Sequence, residues 1–168
     1  MKYWLALLCL FFLGCDFLSK EWAVNHLPLI HWSEGYPFHG IGMFQLGPFT
    51  FSLNFVTNTG AAWGLFAGKA GLLFGIRIAI ICALVSFLAL FNKGKNPLFP
   101  MGLILTGAIG NALDYWRYGY VIDFLHFTFW GSSFPVFNLA DSYITVGAIL
   151  LFFFSTSKKS RLFGVNRP

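Results

Sequence analysis

Charge is what this 168-residue sequence has least of. Only 10% of it is Asp, Glu, Lys or Arg, whereas a soluble domain carries about 25%. Hydrophobic residues make up 57%, and the mean hydropathy is +0.70. This balance excludes an ordinary soluble domain and points to an integral membrane protein. Cysteine is scarce too. Cys9, Cys15 and Cys82 lie in apolar runs without CxxC spacing, which argues against a disulfide framework or a thiolate metal site and leaves them as small packing residues. There is no internal repeat and no low-complexity linker. The net charge is +5, but the basic residues form no patch interleaved with polar contacts, so a nucleic-acid partner is excluded.

What is present is four apolar stretches, 3–24, 70–91, 97–113 and 139–154. Each approaches the roughly 20 residues that span a bilayer. Lys2 precedes the first, Lys93 and Lys95 separate the second from the third, and Lys158, Lys159 and Arg161 follow the fourth. The positive-inside rule puts these three clusters, and so both termini, on the cytoplasmic side. Segments 25–69 and 114–138 then face outward. Arg77 departs from the pattern and is expected to snorkel from the second span. The run 49–55 alternates strictly, with Phe49, Phe51, Leu53 and Phe55 on one face, as in a half-buried strand. Residues 121–129 are rich in aromatic and β-branched side chains and form a second strand, whereas 27–48 has no clear period and is taken as loop. The expected fold is a single domain: an all-α membrane bundle of four transmembrane helices with a small outer-face β-sheet, its aromatics toward lipid or substrate.

The N-terminus admits two readings. Lys2, an apolar run and Gly14-Cys15 imitate a lipoprotein signal peptide; alternatively the run continues and carries Asp16, Ser19 and Lys20 within a membrane helix. An ionisable residue inside a span is a functional candidate by default. Asp16 lies roughly 20 Å from the inner end of its helix, in the outer half, and Lys20 at i+4 can pair with it. Asn58-Thr59-Gly60-Ala61-Ala62 is a polar turn of small residues outside the second span. Thr106 and Gly110 suit close helix packing. Asn111 and Asp114 share a helix face where the third span ends; Asn138 and Asp141 share one where the fourth begins. Asp123 interrupts an apolar strand between them. Caps explain one or two of these residues, Asn138 above all, but do not require Asp16, Asp114, Asp123 and Asp141 at one membrane depth. There is no cysteine or histidine cluster, so neither a metal nor a cofactor is expected; His126 reads as an interfacial residue. Two nearby carboxyls that share a proton can hydrolyse a peptide bond. The rival reading is a small transport or structural membrane protein with acids lining a polar pathway.

Five motifs, in order and spread over nearly the whole chain, resemble those of lipoprotein signal peptidase (signal peptidase II), a bacterial membrane aspartic protease. They are Asp16-Phe-Leu-Ser-Lys20, Asn58-Thr-Gly-Ala-Ala62, Gly110-Asn-Ala-Leu-Asp114, Val121-Ile-Asp123-Phe124 and Phe137-Asn-Leu-Ala-Asp141-Ser142. The resemblance implies a catalytic pair at Asp123 and Asp141. It places Asp16, Lys20, Asn58, Gly60, Asn111, Asp114, Asn138 and Ala140 at supporting positions. It also implies a monomer in the bacterial inner membrane, with its site near the outer leaflet, cutting diacylated prolipoproteins just before the lipidated Cys. Two departures stand out. Tyr115 occupies the place of the family's usual Arg, so that either Arg117 reaches back to Asp114 or the surroundings of Asp114 differ; and the segment between Lys20 and Asn58 is longer than usual.

Overall fold

The computed structural model describes residues 2–59, 70–90 and 97–162. Among these residues four helices and four strands follow one another as α1 (Lys2–His26), β1 (Ile41–Leu46), β2 (Phe49–Asn58), α2 (Ala70–Leu90), α3 (Leu98–Tyr118), β3 (Val121–Phe129), β4 (Ser132–Ser133) and α4 (Leu139–Leu162). Among the described residues two helices are long and apolar enough to cross a membrane, Tyr3–His26 and Gly71–Leu90; Leu139–Phe154 is a shorter apolar stretch. Helix α3 runs five residues past the apolar stretch that marks it in sequence, and α4 runs eight past. The basic cluster 93–95 lies outside the described residues.

Helix α3 is the hub, packing against α1, α2 and α4. Its buried side includes Gly102, Thr106, Gly107, Gly110, Asn111 and Asp114. The small residues permit close backbone contact. A Cβ on Gly107 would lie 2.3 Å from the Ala140 carbonyl oxygen, and one on Gly110 would lie 2.5 Å from the Asp16 carboxylate. Thr106 is buried, but Gly107 makes the closer approach. Cys9, Cys15 and Cys82 are free thiols, and Cys9 fits against the bare Cα of Gly102.

Gly119 caps α3 in the left-handed conformation (φ 77°), its N–H bonded to the Tyr115 carbonyl, as is usual for a glycine one residue past a helix end. The chain turns there directly into β3. The sheet is antiparallel in the order β1-β2-β3-β4, with β2 and β3 in register from Phe49–Phe129 to Asn58–Val121 across a bulge between Leu53 and Val56. The segment taken as loop therefore contains an edge strand, β1. Its side chains are all exposed, which removes the periodic signal a half-buried strand would leave.

The alternation in β2 holds, and its two faces differ in burial. Thr50, Ser52 and Asn54 are buried, whereas Phe49 is exposed and Phe51, Leu53 and Phe55 are half-exposed. The aromatic face thus looks outward, and the inward face is polar and internally bonded: Thr50 to Thr128 at 2.7 Å, Ser52 to Asn54 at 2.6 Å. Where α1 meets β3, Ala23, Leu27, Ile122 and Phe124 form a small apolar core that fixes the sheet on one end of the helices.

Gly107→Ala should destabilise the protein by about 1–3 kcal/mol, the usual scale of overpacking, because the α4 backbone must move. Gly75→Ala, where an added Cβ meets nothing within 4 Å, should be near neutral. Thermal unfolding of both variants in the same detergent checks the contrast.

Candidate active site

Five elements, α1, β2, α3, β3 and the start of α4, deliver polar groups to one place. Helix α1 supplies Asp16 and Lys20 one turn apart, both buried. The Lys20 ammonium is 2.8 Å from Asp16 Oδ2, 2.8 Å from Asp114 Oδ2 and 3.1 Å from Asn111 Oδ1. An ammonium has three protons and no lone pair, so these three acceptors satisfy it completely. Asp114 also accepts the Ile122 N–H at 3.2 Å, which ties the end of α3 to β3.

The Lys20 contact has a directional consequence. Because Lys20 only donates, Asn111 must turn its carbonyl oxygen toward it, and its Nδ2 then points to Asp141 Oδ1 at 2.7 Å. The same Asn111 oxygen accepts Asn138 Nδ2 at 3.1 Å, and that Nδ2 also lies 3.1 Å from the Ile122 carbonyl and 2.8 Å from Asp123 Oδ1. Asn58 Nδ2 donates to Asp123 Oδ2 at 2.8 Å. Asp123 and Asp141 are thus linked through two asparagine amides whose orientation begins at Lys20.

The start of α4 completes the arrangement. Asn138 is the N-cap: its Oδ1 accepts the Asp141 N–H at 2.9 Å, while its own N–H donates to Asp141 Oδ2 at 3.3 Å. This is a reciprocal capping box with Asp in the usual Glu position. Asp16 Oδ1 accepts the Ala140 N–H at 2.8 Å, so a carboxylate sits at the positive end of the α4 dipole. Asp16, Lys20, Asn58, Asn111, Asp114, Asp123, Asn138, Ala140 and Asp141 are therefore brought together; Gly60 lies outside the described residues.

Asp123 is 1% exposed, whereas Asp141 is partly open. Burial pushes the Asp123 carboxyl well above the ordinary range, and the neighbouring Asp141 charge pushes the same way; the amides of Asn58 and Asn138 and the Lys20 charge oppose them. A carboxyl that retains its proton beside a second carboxyl is suited to general acid–base work.

Arg117 does not reach back to Asp114. Its guanidinium pairs with Glu21, which also accepts the Tyr118 hydroxyl, and lies over the rings of Tyr118 and Phe17. Lys20 and the Ile122 N–H serve Asp114 instead, and Tyr115 stacks on Phe74 of α2. His126 is fully buried rather than interfacial, bonded to Ser133 at 2.7 Å and near Ser52 and Asn54. The polar positions 50, 52 and 54 carried the signal for this second cluster, since they alternate as strictly as the aromatics between them.

Replacing Lys20 by Met should cost about 3–5 kcal/mol, the usual penalty for leaving buried charge without its partner, measured as unfolding in detergent. A pH effect follows from Asp123. Its folded value lies above the unfolded one, so the native state keeps a proton that the unfolded chain gives up. Stability should fall as pH rises from the ordinary carboxyl range toward the raised Asp123 value and then level off. Asp123→Asn should remove that slope.

The sequence model of the Signal peptidase (SPase) II family matches residues 8–157. The chain is 35% identical to the lipoprotein signal peptidase of Bacillus velezensis over 160 residues, covering 91% of this chain and 95% of that one. It is 38% identical to that of Nostoc punctiforme over 158 residues, covering 93% and 90%. A bacterial membrane enzyme solved by the in meso method at 2.3 Å resolution superposes with a TM-score of 0.75 at 29% identity, covering 94% of this chain and 90% of that one. Matches of this identity and extent to both a family model and full-length relatives establish that the chain belongs to the signal peptidase II family.

Proposed function

We propose that this chain is an aspartic endopeptidase of the bacterial inner membrane that removes the signal peptide from diacylglyceryl-modified prolipoproteins, cutting just before the lipidated Cys. Asp123 and Asp141 are the catalytic pair. The observation that carries this reading is their linkage through Asn111 and Asn138, with Asp123 buried and Asp141 partly open. One carboxylate takes a proton from water as the water oxygen bonds to the scissile carbonyl carbon. The protonated partner polarises the carbonyl oxygen and the leaving amine recovers a proton. Asp16, Lys20, Asn58, Asn111, Asp114 and Asn138 hold the pair, and Gly60 belongs with them by its motif.

The chain is read as a four-span monomer with both termini in the cytoplasm, spans near 3–24, 70–91, 97–113 and 139–154, and the site near the outer leaflet. Substrate specificity rests on depth. Each buried methylene contributes about 0.8 kcal/mol to membrane anchoring, but lipid and enzyme offer similar apolar surroundings. The lipidated Cys therefore serves chiefly to set the scissile bond level with Asp123 and Asp141. The half-exposed Phe51, Leu53 and Phe55 of β2 are suited to line its path.

Asp123→Asn and Asp141→Asn should each reduce cleavage of a diacylated prolipoprotein to background while leaving a folded protein in the membrane. Unmodified precursor should be cut far more slowly than lipidated precursor in the same detergent. Signal-peptide release followed by gel or mass spectrometry reads both. Substantial turnover by either variant would remove the pair from the chemistry, and equal rates for the two precursors would remove the lipid requirement.

A further inference from the structure

The polar face of β2 buries a second cluster, apart from the four carboxyls and unused by the proposed cleavage. Asn54 is fully buried. Its Nδ2 donates to the carbonyls of Pro37 at 2.9 Å and Phe38 at 3.2 Å. Backbone carbonyls only accept, so the amide orientation is fixed and Oδ1 faces Ser52 and His126. The Ser52 hydroxyl gives its one proton to that Oδ1 at 2.6 Å. His126 Nδ1 then faces an acceptor, Asn54 Oδ1 at 3.3 Å, and a hydroxyl oxygen whose proton is already used, Ser52 Oγ at 3.4 Å. In a neutral ring Nδ1 must hold the proton. Nε2 is left with a lone pair, and Ser133 Oγ lies 2.7 Å from it. The Phe134 carbonyl, 3.2 Å away, is the poorer acceptor for that hydroxyl.

The His126 ring is enclosed, with the rings of Phe38 and Trp32 meeting it edge-on at 4.7 and 5.4 Å. Burial lowers its pKa, which keeps it neutral and available as a base. The other titratable groups of the covering segment face one another: the His31 and His39 rings are 5.0 Å apart, and His39 Nδ1 is 3.5 Å from Glu34. Ser133 itself is exposed on β4. An exposed hydroxyl on a buried, oriented, neutral imidazole is the arrangement that activates serine.

We propose that Ser133, His126 and Asn54 form a second nucleophilic centre, in which Ser133 accepts an acyl group from an apolar ester. Oγ bonds to the ester carbonyl carbon as its proton passes to His126 Nε2. The bond from that carbon to the alcohol oxygen breaks, and the alcohol leaves with the proton from His126. Water, deprotonated by the same nitrogen, then releases the carboxylic acid and restores the serine. The apolar class follows from the exposed Phe129, Trp130 and Phe134 of the same hairpin.

The full-length protein in detergent is treated with an alkyl fluorophosphonate and the adduct located by peptide mass spectrometry. The adduct should fall on Ser133 and not on adjacent Ser132. It should vanish in Ser133→Ala, drop by about a hundredfold in rate in His126→Gln, the usual scale of general-base assistance, and persist in Asp141→Asn. No adduct on Ser133 in the folded wild type, equal labelling of Ser132, or an undiminished rate in folded His126→Gln would each overturn the proposal. Should His126→Gln fail to fold, the wild-type labelling rate against pH decides. It should rise through one ionisation below the ordinary histidine range and then level off; a rate that simply tracks hydroxide concentration contradicts an imidazole base.

Discussion

The Lys20 ammonium is the constraint on which the rest of the site depends. It is 1% exposed, has three protons, and meets three acceptors on two helices: Asp16, Asp114 and Asn111. A buried cation with a free proton, or a buried carboxylate without a donor, would cost several kcal/mol. Satisfying all three at once fixes the rotation of α1 against α3. It also fixes which end of the Asn111 amide faces Asp141, and through Asn138 which end of the next amide faces Asp123. Among the described residues, Lys20 is the buried cation amid four acidic groups. The Lys20 charge alone does not balance these groups, and burial suits Asp123 to keeping its proton.

The backbone serves the same arrangement. Gly107 and Gly110 let α4 and the Asp16 carboxylate approach α3 more closely than any side chain would allow. Capping by Asn138 and Asp141 removes the need for water at the start of α4, and the Ala140 N–H finds its acceptor in Asp16. Burying this many polar groups in an apolar bundle is tolerable because, among the described residues, every buried side-chain nitrogen and oxygen has a hydrogen-bond partner.

Much of this was legible in the sequence, for a physical reason. In a chain with six acidic residues, each acid within or beside an apolar run needs a partner, and i+3 or i+4 spacing names it: Lys20 for Asp16, Asn138 for Asp141. The span boundaries put four acids at one membrane depth, but which two to take as the pair came from the motif resemblance, since spacing along one helix says nothing of contacts between helices. Two features were misread. β1 exposes every side chain and so has no burial period. His126 looked solitary because two of its partners, Ser52 and Asn54, lie more than 70 residues away in the chain.

The central claim is that the buried network holds a proton on the Asp123–Asp141 pair at neutral pH. Infrared spectroscopy of the purified protein, titrated from acid to alkaline conditions, reads this from the stretching band of a protonated carboxyl. Such a band should persist at neutral pH in the wild type and be absent from Asp123→Asn. A wild type without it, or a band that survives unchanged in Asp123→Asn, would contradict the account.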